Sequence, residues 1–166
     1  MAEPAKIVAV LVTNPALRSI LGMVLASSPA LRVRPFESEV ALSTYMQLAP
    51  VDLIVLDFDS ETAPADRVAR TLRDTARRER GGVQVIALTG AVSPEIKRAS
   101  IGAGIDEIIV KPMSPKYLLE RVLSRLQRQA LRTARPLPAR SMPRIDLTQA
   151  GSNVIPLFGP RLQPTH

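Results

Sequence analysis

Continuous apolar runs limit the folds that this chain can adopt. Residues 7–12, 53–56 and 83–88 are apolar almost throughout, and polar or turn residues bound each run. Such runs are typical of strands buried on both faces, as in a parallel sheet covered by helices. Residues 105–110 and 31–36 bring the predicted strands to five, and the arginines and proline of 31–36 suit an edge strand.

Helical patterns separate the predicted strands. Asn14 is a suitable N-cap with Pro15 at the first helical position, and the same pair of a polar cap and a proline recurs at 93–94 and 114–115. The segment after residue 93 is expected to end at Gly102. The other two helices are assigned to residues 37–48 and 64–80. Five alternating strand and helix units predict an open parallel α/β sheet with right-handed crossovers.

Composition excludes several kinds of site. The chain contains no cysteine, and its one histidine is His166, so disulfides and thiolate chemistry are excluded and any metal must be held by oxygen. The apolar run at 7–12 is too short for a signal-peptide core or a membrane span. We therefore expect a cytoplasmic protein that makes no membrane contact.

Charge gives a weaker indication of partners. The net charge of +7 is compatible with acidic partners, but an aromatic content of 3% leaves few platforms on which bases could stack. One predicted helix carries an arginine-rich side, which we interpret as a solvated face, with an anionic partner as the alternative. Its members are Arg67, Arg70, Arg73, Arg77, Arg78 and Arg80. Nucleic-acid binding has no motif behind it and is not expected.

Three polar residues end three of the predicted strands. They are Asp57, Thr89 and Lys111, and chemistry in open α/β sheets gathers at the carboxyl ends of the strands. Asp57 could attack phosphorus, Lys111 could pair with the developing oxygen charge, and Thr89 could donate a hydrogen bond. Any one of them alone could simply satisfy the solvent edge of the sheet. Together they favour a site that holds a phosphoryl group.

The segments around these residues carry a family resemblance. VDLIVLDFD at Asp57, VIALTG at Thr89 and GAGIDEIIVKP at Lys111 resemble the receiver domain of bacterial two-component response regulators, including single-domain chemotaxis-type proteins, over roughly residues 5–130. The resemblance implies a flavodoxin-like, doubly wound sheet of order 2-1-3-4-5 with five helices, two on one face and three on the other. It also implies that Asp57 is the phosphoacceptor, assisted by Thr89 and Lys111, and that a cis bond precedes Pro112.

Two positions depart from the pattern of that family. Its members usually place two adjacent acidic residues after the first strand to hold Mg²⁺, where this chain has Thr13 and Asn14. Asp57, the main-chain carbonyl of Asp59 and, weakly, the Asn14 amide oxygen remain as ligands, so Mg²⁺ binding is expected to be poor. The switch position three residues before the lysine is usually aromatic, whereas here it is Ile108, which is stiff at χ1.

The resemblance predicts a switch rather than a turnover enzyme. It implies that a histidine kinase or phosphotransfer protein phosphorylates Asp57, and that the fourth helix and the fifth strand and helix then bind a downstream protein target. The alternative is a phosphorylation-independent pseudo-receiver, an interaction module that kept the fold and lost the metal pocket. Thr13 and Asn14 are the residues that separate the two hypotheses.

The end of the sequence differs from the rest. We assign residues 5–132 to the receiver-like domain and residues 133–166 to a proline-rich tail, which we predict to be disordered because it lacks helical or strand periodicity. A small apolar island lies inside this tail, and it could dock on this domain or on another protein. Its members are Val154, Ile155, Leu157 and Phe158.

Truncation near Arg135 tests the assignment of the tail. The free energy of unfolding should change by less than about 1 kcal/mol, because a polar, proline-rich segment buries little apolar surface. Urea unfolding of the full and truncated chains would measure the difference. A loss of several kcal/mol would instead mean that the island around Phe158 packs against the folded domain.

Overall fold

The structure is a computed structural model that describes residues 4–59, 65–79 and 82–134. These residues form alternating strands and helices: β1 (Lys6–Leu11), α1 (Pro15–Ala26), β2 (Leu31–Phe36), α2 (Glu39–Leu48), β3 (Leu53–Asp57), α3 (Ala65–Glu79), β4 (Gln84–Thr89), α4 (Pro94–Ala103), β5 (Glu107–Val110) and α5 (Pro115–Ala134). Thr133 and Ala134 of the predicted tail form the end of α5, while the rest of the tail and its apolar island lie outside the described residues. In the described part of the chain, no helix combines the length and apolar character needed to cross a lipid bilayer.

The five strands form one parallel sheet in the order β2-β1-β3-β4-β5. The predicted strand order and the flavodoxin-like α/β fold are therefore confirmed. The strand that carries arginines and a proline, β2, lies at an edge of the sheet. An edge strand pairs on one side only, so it tolerates a proline, which has no N–H to donate to a neighbouring strand. The central strands β1, β3 and β4 carry the most apolar sequences, since helices cover both of their faces.

Two apolar layers cover the sheet. Alternate side chains of each strand point to opposite faces, so Val8 and Val10 belong to one layer and Ala9 to the other. In the first layer, α1 and α5 contribute Leu21, Leu25, Leu118, Val122 and Leu126. In the second, α2, α3 and α4 contribute Leu42, Met46, Val68, Ala69, Leu72 and Ala103. The predicted division into two helices and three helices is thus confirmed.

Local hydrogen bonds fix the starts and ends of the helices. Asn14 Oδ1 accepts the Leu17 N–H at 3.0 Å, and Ser93 Oγ accepts the Ile96 N–H at 3.2 Å, as expected for N-caps. The expectation that α4 ends at Gly102 is wrong by one residue, because the helix continues to Ala103. Gly104 is the terminating residue, with a φ of 75°, a left-handed conformation that favours glycine.

One arginine of the predicted solvated face is part of the folded framework. Arg73 Nη2 pairs with Asp106 Oδ2 at 2.5 Å, and only 18% of the Arg73 side chain is exposed. Asp106 Oδ2 also accepts the Val85 N–H at 2.7 Å, so this ion pair links α3 to β4 and to the segment before β5. Arg67 and Arg70 are exposed as predicted. The side chains of Arg77, Arg78 and Arg80 lie outside the described residues.

A second ion-pair network joins α5 to β5. Glu107 at the start of β5 accepts hydrogen bonds from Arg121, whose Nη2 lies 2.9 Å from Oε2, and from Arg125, whose Nε lies 2.6 Å from Oε2. The Glu107 side chain is 12% exposed. Burial alone would raise the pKa of Glu107, but the hydrogen bonds and charges of the two arginines outweigh it and hold that pKa below its ordinary value.

Glu107→Gln should reduce the free energy of unfolding by about 1–3 kcal/mol near neutral pH, because it removes charge-assisted hydrogen bonds from a half-buried site. The folded-state pKa of Glu107 is lowered, so its stabilisation is complete above its unfolded value of about 4.3 and is lost as pH falls through the folded-state pKa.

Urea unfolding of both proteins across the acid range would measure this effect. The difference between them should shrink as the pH is lowered, and a difference that stays constant would contradict the assignment. Glu120→Gln is the matched control, because Glu120 is exposed and lies 3.9 Å from Lys116 on the surface of α5. Its removal should cost less than about 0.5 kcal/mol.

Candidate functional site

The sheet brings three of the predicted site residues to one edge. Asp57 ends β3 and lies opposite Leu88, while Thr89 ends β4 and lies opposite Val110, the residue before Lys111. Main-chain hydrogen bonds at this edge, from the Phe58 N–H to Leu88 O and from the Lys111 N–H to Thr89 O, both measure 2.7 Å. The three functional side chains are therefore anchored by the ladder itself.

Asp57 and Lys111 form the centre of the site. Lys111 Nζ lies 2.9 Å from Asp57 Oδ1, which also accepts the Asp59 N–H at 3.1 Å. The Asp57 side chain is 11% exposed and that of Lys111 is 25% exposed. The carboxylate is thus oriented by two donors while the site remains open to an incoming group.

The side chain of Asp59 also belongs to the site, which the sequence analysis did not foresee. Its Oδ2 accepts the Gly90 N–H at 2.6 Å and lies 2.9 Å from Lys111 Nζ, and its Oδ1 lies 3.0 Å from Thr89 Oγ1. Only the main-chain carbonyl of this residue was expected to take part in the site. A second carboxylate two residues after Asp57 was the available signal, but Asp59 lies in the turn after β3, where the alternation of strand side chains no longer sets its direction.

Thr89 is completely buried, and its hydroxyl has more than one partner. Besides Asp59 Oδ1, its Oγ1 lies 2.8 Å from the main-chain oxygen of Ala91 and accepts the Ala91 N–H at 3.3 Å. A hydroxyl has one hydrogen to donate, so Thr89 can serve either the carboxylate or the carbonyl at a given moment. Rotation of this hydroxyl can therefore follow a change at the site without moving the backbone.

The charges of the site stabilise one another. Burial alone would lower the pKa of Lys111, but the hydrogen bonds and charges of Asp57 and Asp59 outweigh it and raise that pKa above its ordinary value. Burial would likewise raise the pKa of Asp59, but the donors Lys111, Gly90 and Thr89 keep it below the usual range. Near neutral pH the site therefore holds a charged ammonium beside a charged Asp59 carboxylate.

Thr13 and Asn14 follow β1 at the same edge of the sheet. The pairing of Leu11 with Leu56 brings the end of β1 beside the end of β3, and both following side chains are exposed. Asn14 Oδ1 is engaged as the cap of α1. Within residues 4–59, 65–79 and 82–134, no group of three or more acidic, histidine or cysteine side chains could hold a metal ion. The carboxylates of Asp57 and Asp59, at the end of β3 and in the turn after it, both contact Lys111.

The predicted switch position lies on β5. Ile108 is half-buried and lies opposite Ala87 of β4. The bond between Lys111 and Pro112 is cis, as the resemblance implies. The structure thus places an aliphatic side chain three residues before the site lysine.

A family model described as the response regulator receiver domain matches residues 8–123, which is more than half of the chain. The chain belongs to this family. Receivers are phosphoacceptor modules of two-component signal transduction, and that is the function of this chain. They are generally switches, they generally bind Mg²⁺ at the phosphorylation site, and they interact with kinases or phosphotransfer proteins and with downstream targets.

Solved structures share the fold of this receiver. The CheY-like receiver domain protein of Methanospirillum hungatei is 20% identical with a TM-score of 0.69, and the match covers 78% of this chain and 99% of that one. The chemotaxis protein CheY4 of Vibrio cholerae is 21% identical with a TM-score of 0.63, covering 72% and 97%. The BeF₃-activated DrrB receiver domain of Thermotoga maritima is 22% identical with a TM-score of 0.64, covering 75% and 99%. A comparison with curated protein sequences gives no match.

Proposed function

We propose that Asp57 is the residue that accepts the phosphoryl group, from a histidine kinase or a phosphotransfer protein. The observation that carries this proposal is the 2.9 Å contact between Asp57 Oδ1 and Lys111 Nζ at the carboxyl edge of the sheet. A carboxylate held by an ammonium at an open strand end is a suitable nucleophile for phosphorus. Asp52, in contrast, lies at the opposite end of β3, where its Oδ2 accepts the Ile7 N–H at 2.8 Å.

The transfer uses groups of this chain in distinct roles. A carboxylate oxygen of Asp57 forms a bond to phosphorus as the bond from phosphorus to the donor nitrogen breaks, and the donor imidazole leaves with its electron pair. Lys111 neutralises charge on the phosphoryl oxygens, and Thr89 Oγ1 and the Gly90 N–H donate hydrogen bonds to them. The product is an acyl phosphate on Asp57 that water can hydrolyse, so the protein acts as a switch and not as a turnover enzyme.

The signal then passes to a downstream protein target. We assign this contact to the surface formed by α4, β5 and α5, where Ile101, Val110 and Tyr117 are exposed although apolar or aromatic. Ile108 cannot report the state of the site by turning a ring inward, so coupling rests on the Thr89 hydroxyl and on the segment that follows it. We propose that the protein performs this role in the cytoplasm. We assign the role to residues 5–132 and treat residues 133–166 as a tail that is separate from this domain.

The residues around Asp57 fit Mg²⁺ poorly. This cation requires hard anionic oxygens and octahedral geometry, while both nearby carboxylates are already engaged by Lys111. Asp57, the Asp59 main-chain carbonyl and a weak Asn14 amide oxygen are the donors that the family pattern leaves. The metal affinity of this receiver is therefore lower than an acidic pair after β1 would give.

Thr13→Asp combined with Asn14→Asp should tighten Mg²⁺ binding and speed the phosphorylation of Asp57. Two added carboxylates supply hard ligands, and Asp at position 14 can still cap α1. Without metal the clustered carboxylates repel one another, so the double variant should melt at a lower temperature than the parent and recover on addition of Mg²⁺. Melting temperature against Mg²⁺ concentration measures this. If the parent binds Mg²⁺ as tightly as the variant, the poor fit is refuted.

A phosphorylation-independent interaction module is the alternative function. The family match does not favour it. Neither does the edge of the sheet, where Lys111 contacts both Asp57 and Asp59, because a module that only binds partners has no need of a carboxylate nucleophile held by an ammonium.

Asp57→Asn should abolish acid-labile phosphorylation by a small phosphodonor such as acetyl phosphate, because the amide is not a nucleophile for phosphorus. Asp52→Asn is the matched control, and it should keep the labelling because Asp52 precedes β3, at the edge of the sheet opposite to Asp57. Phos-tag electrophoresis of both variants and the parent measures the outcome. Labelling that persists in Asp57→Asn would exclude Asp57 as the acceptor.

A further inference from the structure

We infer that the side chain of Asp59 is an internal competitor of the phosphoryl group, and that phosphorylation of Asp57 requires it to leave its present position. This inference rests on the proposed function of Asp57. It concerns a residue whose side chain neither the resemblance nor the family match assigns to any role. The observation behind it is that one carboxylate occupies the donors that the transfer needs.

Three donors define the position, and we call them the three-donor pocket: Lys111 Nζ, Thr89 Oγ1 and the Gly90 N–H. Asp59 Oδ2 accepts from Gly90 at 2.6 Å and lies 2.9 Å from Lys111, while Oδ1 lies 3.0 Å from Thr89. These donors come from the ends of β4 and β5, and they all contact a side chain from the loop after β3. Of the three donors, Lys111 is the one that also donates a hydrogen bond to Asp57.

The chemistry of Asp59 suits this place. A carboxylate presents planar anionic oxygens to donors that also suit the oxygens of a phosphoryl group, so one set of donors can serve both. Position 90 leaves room for it, because a Cβ added to Gly90 would lie 3.3 Å from Asp59 Oδ2. Any larger residue at 90 would crowd the carboxylate.

Occupation of the pocket has two consequences for the transfer. An incoming phosphoryl group meets a resident negative charge beside Asp57 and finds Thr89 and Gly90 already engaged. The pocket also has a replaceable occupant, since the Asp59 side chain is 41% exposed and can turn toward solvent. The apparent association constant of the pocket for an anion is then the intrinsic constant multiplied by the fraction of molecules in which Asp59 has left the pocket.

Asp59→Ala and Asp59→Asn test the inference in the full chain. Beryllofluoride, an analogue of the phosphoryl group, would be titrated into each variant in the presence of Mg²⁺. The Mg²⁺ concentration would first be raised until a further increase no longer changes the measured affinity. Binding would be followed by the amide resonances of Gly90 and Thr89. If Asp59 fills the pocket in nine of ten molecules, its removal tightens the apparent Kd about tenfold. The expected order of affinity is Ala above Asn above the parent.

Two further readings separate competition from a purely structural role. The Gly90 amide resonance should move upfield in Asp59→Asn before any ligand is added, because the charged acceptor is lost. The rate of phosphorylation by acetyl phosphate should follow the same order as the beryllofluoride affinity, with Asp59→Ala fastest, Asp59→Asn next and the parent slowest. Melting temperatures of both variants confirm that each chain is folded.

Glu120→Gln is the control for charge alone. It removes one negative charge from the exposed surface of α5 and should change the beryllofluoride affinity by less than about twofold, since distant surface charges are screened by salt. An equal gain in Glu120→Gln and Asp59→Ala would overturn the inference, because general electrostatics would then account for the effect.

The outcomes also distinguish this inference from the proposed function. If Asp59→Ala binds beryllofluoride no more tightly than the parent, and both chains are labelled at Asp57 at equal rates, the competition is refuted and the acceptor role of Asp57 stands. If no variant is labelled at Asp57 while Asp59→Ala still binds beryllofluoride more tightly, the acceptor assignment fails and the competition stands.

Discussion

The parallel pairing of β3, β4 and β5 in one register is the constraint on which the site depends. Because parallel strands all end at the same edge, pairing of Asp57 with Leu88 and of Thr89 with Val110 carries residues distant in sequence to within contact. The apolar layers on both faces hold that register, since a shift of one residue would turn buried side chains toward the wrong layer. The chemistry of the edge is thus a consequence of the packing of the whole sheet.

The fold places the charge of Lys111 beside two carboxylates, and this lysine dominates the electrostatics of the site. One ammonium serves two carboxylates, and each carboxylate has a further donor of its own, the Asp59 N–H for Asp57 and the Gly90 N–H for Asp59. Removal of one carboxylate would therefore leave the other partnered, which is the arrangement that an exchange of one anion for another requires. In this receiver Lys111 orients the Asp57 carboxylate and also donates a hydrogen bond to the anion beside it, which is the Asp59 carboxylate in this structure.

Arg73 and Glu107 show what a one-dimensional pattern misses. Arg73 falls within a run of arginines that indicates a solvated face, yet its guanidinium reaches Asp106, a residue 33 positions later in the chain. Glu107 reads as a polar interruption of an apolar strand, although two arginines of α5 make it a fixed part of the interface. The partner is fixed only by tertiary packing, which brings α3 to the segment before β5 in the case of Arg73 and α5 to β5 in the case of Glu107.

The sequence by itself determined the strand and helix order, the two buried layers and the identity of Asp57, Thr89 and Lys111 as the residues that end three strands. It could do so because burial on both faces demands continuous apolar runs, and because capping residues mark helix ends locally. Only the tertiary structure decided the place of the Asp59 side chain. A carboxylate that follows a strand can turn to solvent or inward, and the choice depends on three donors that the chain supplies 30 to 52 residues later, where the sheet brings them together.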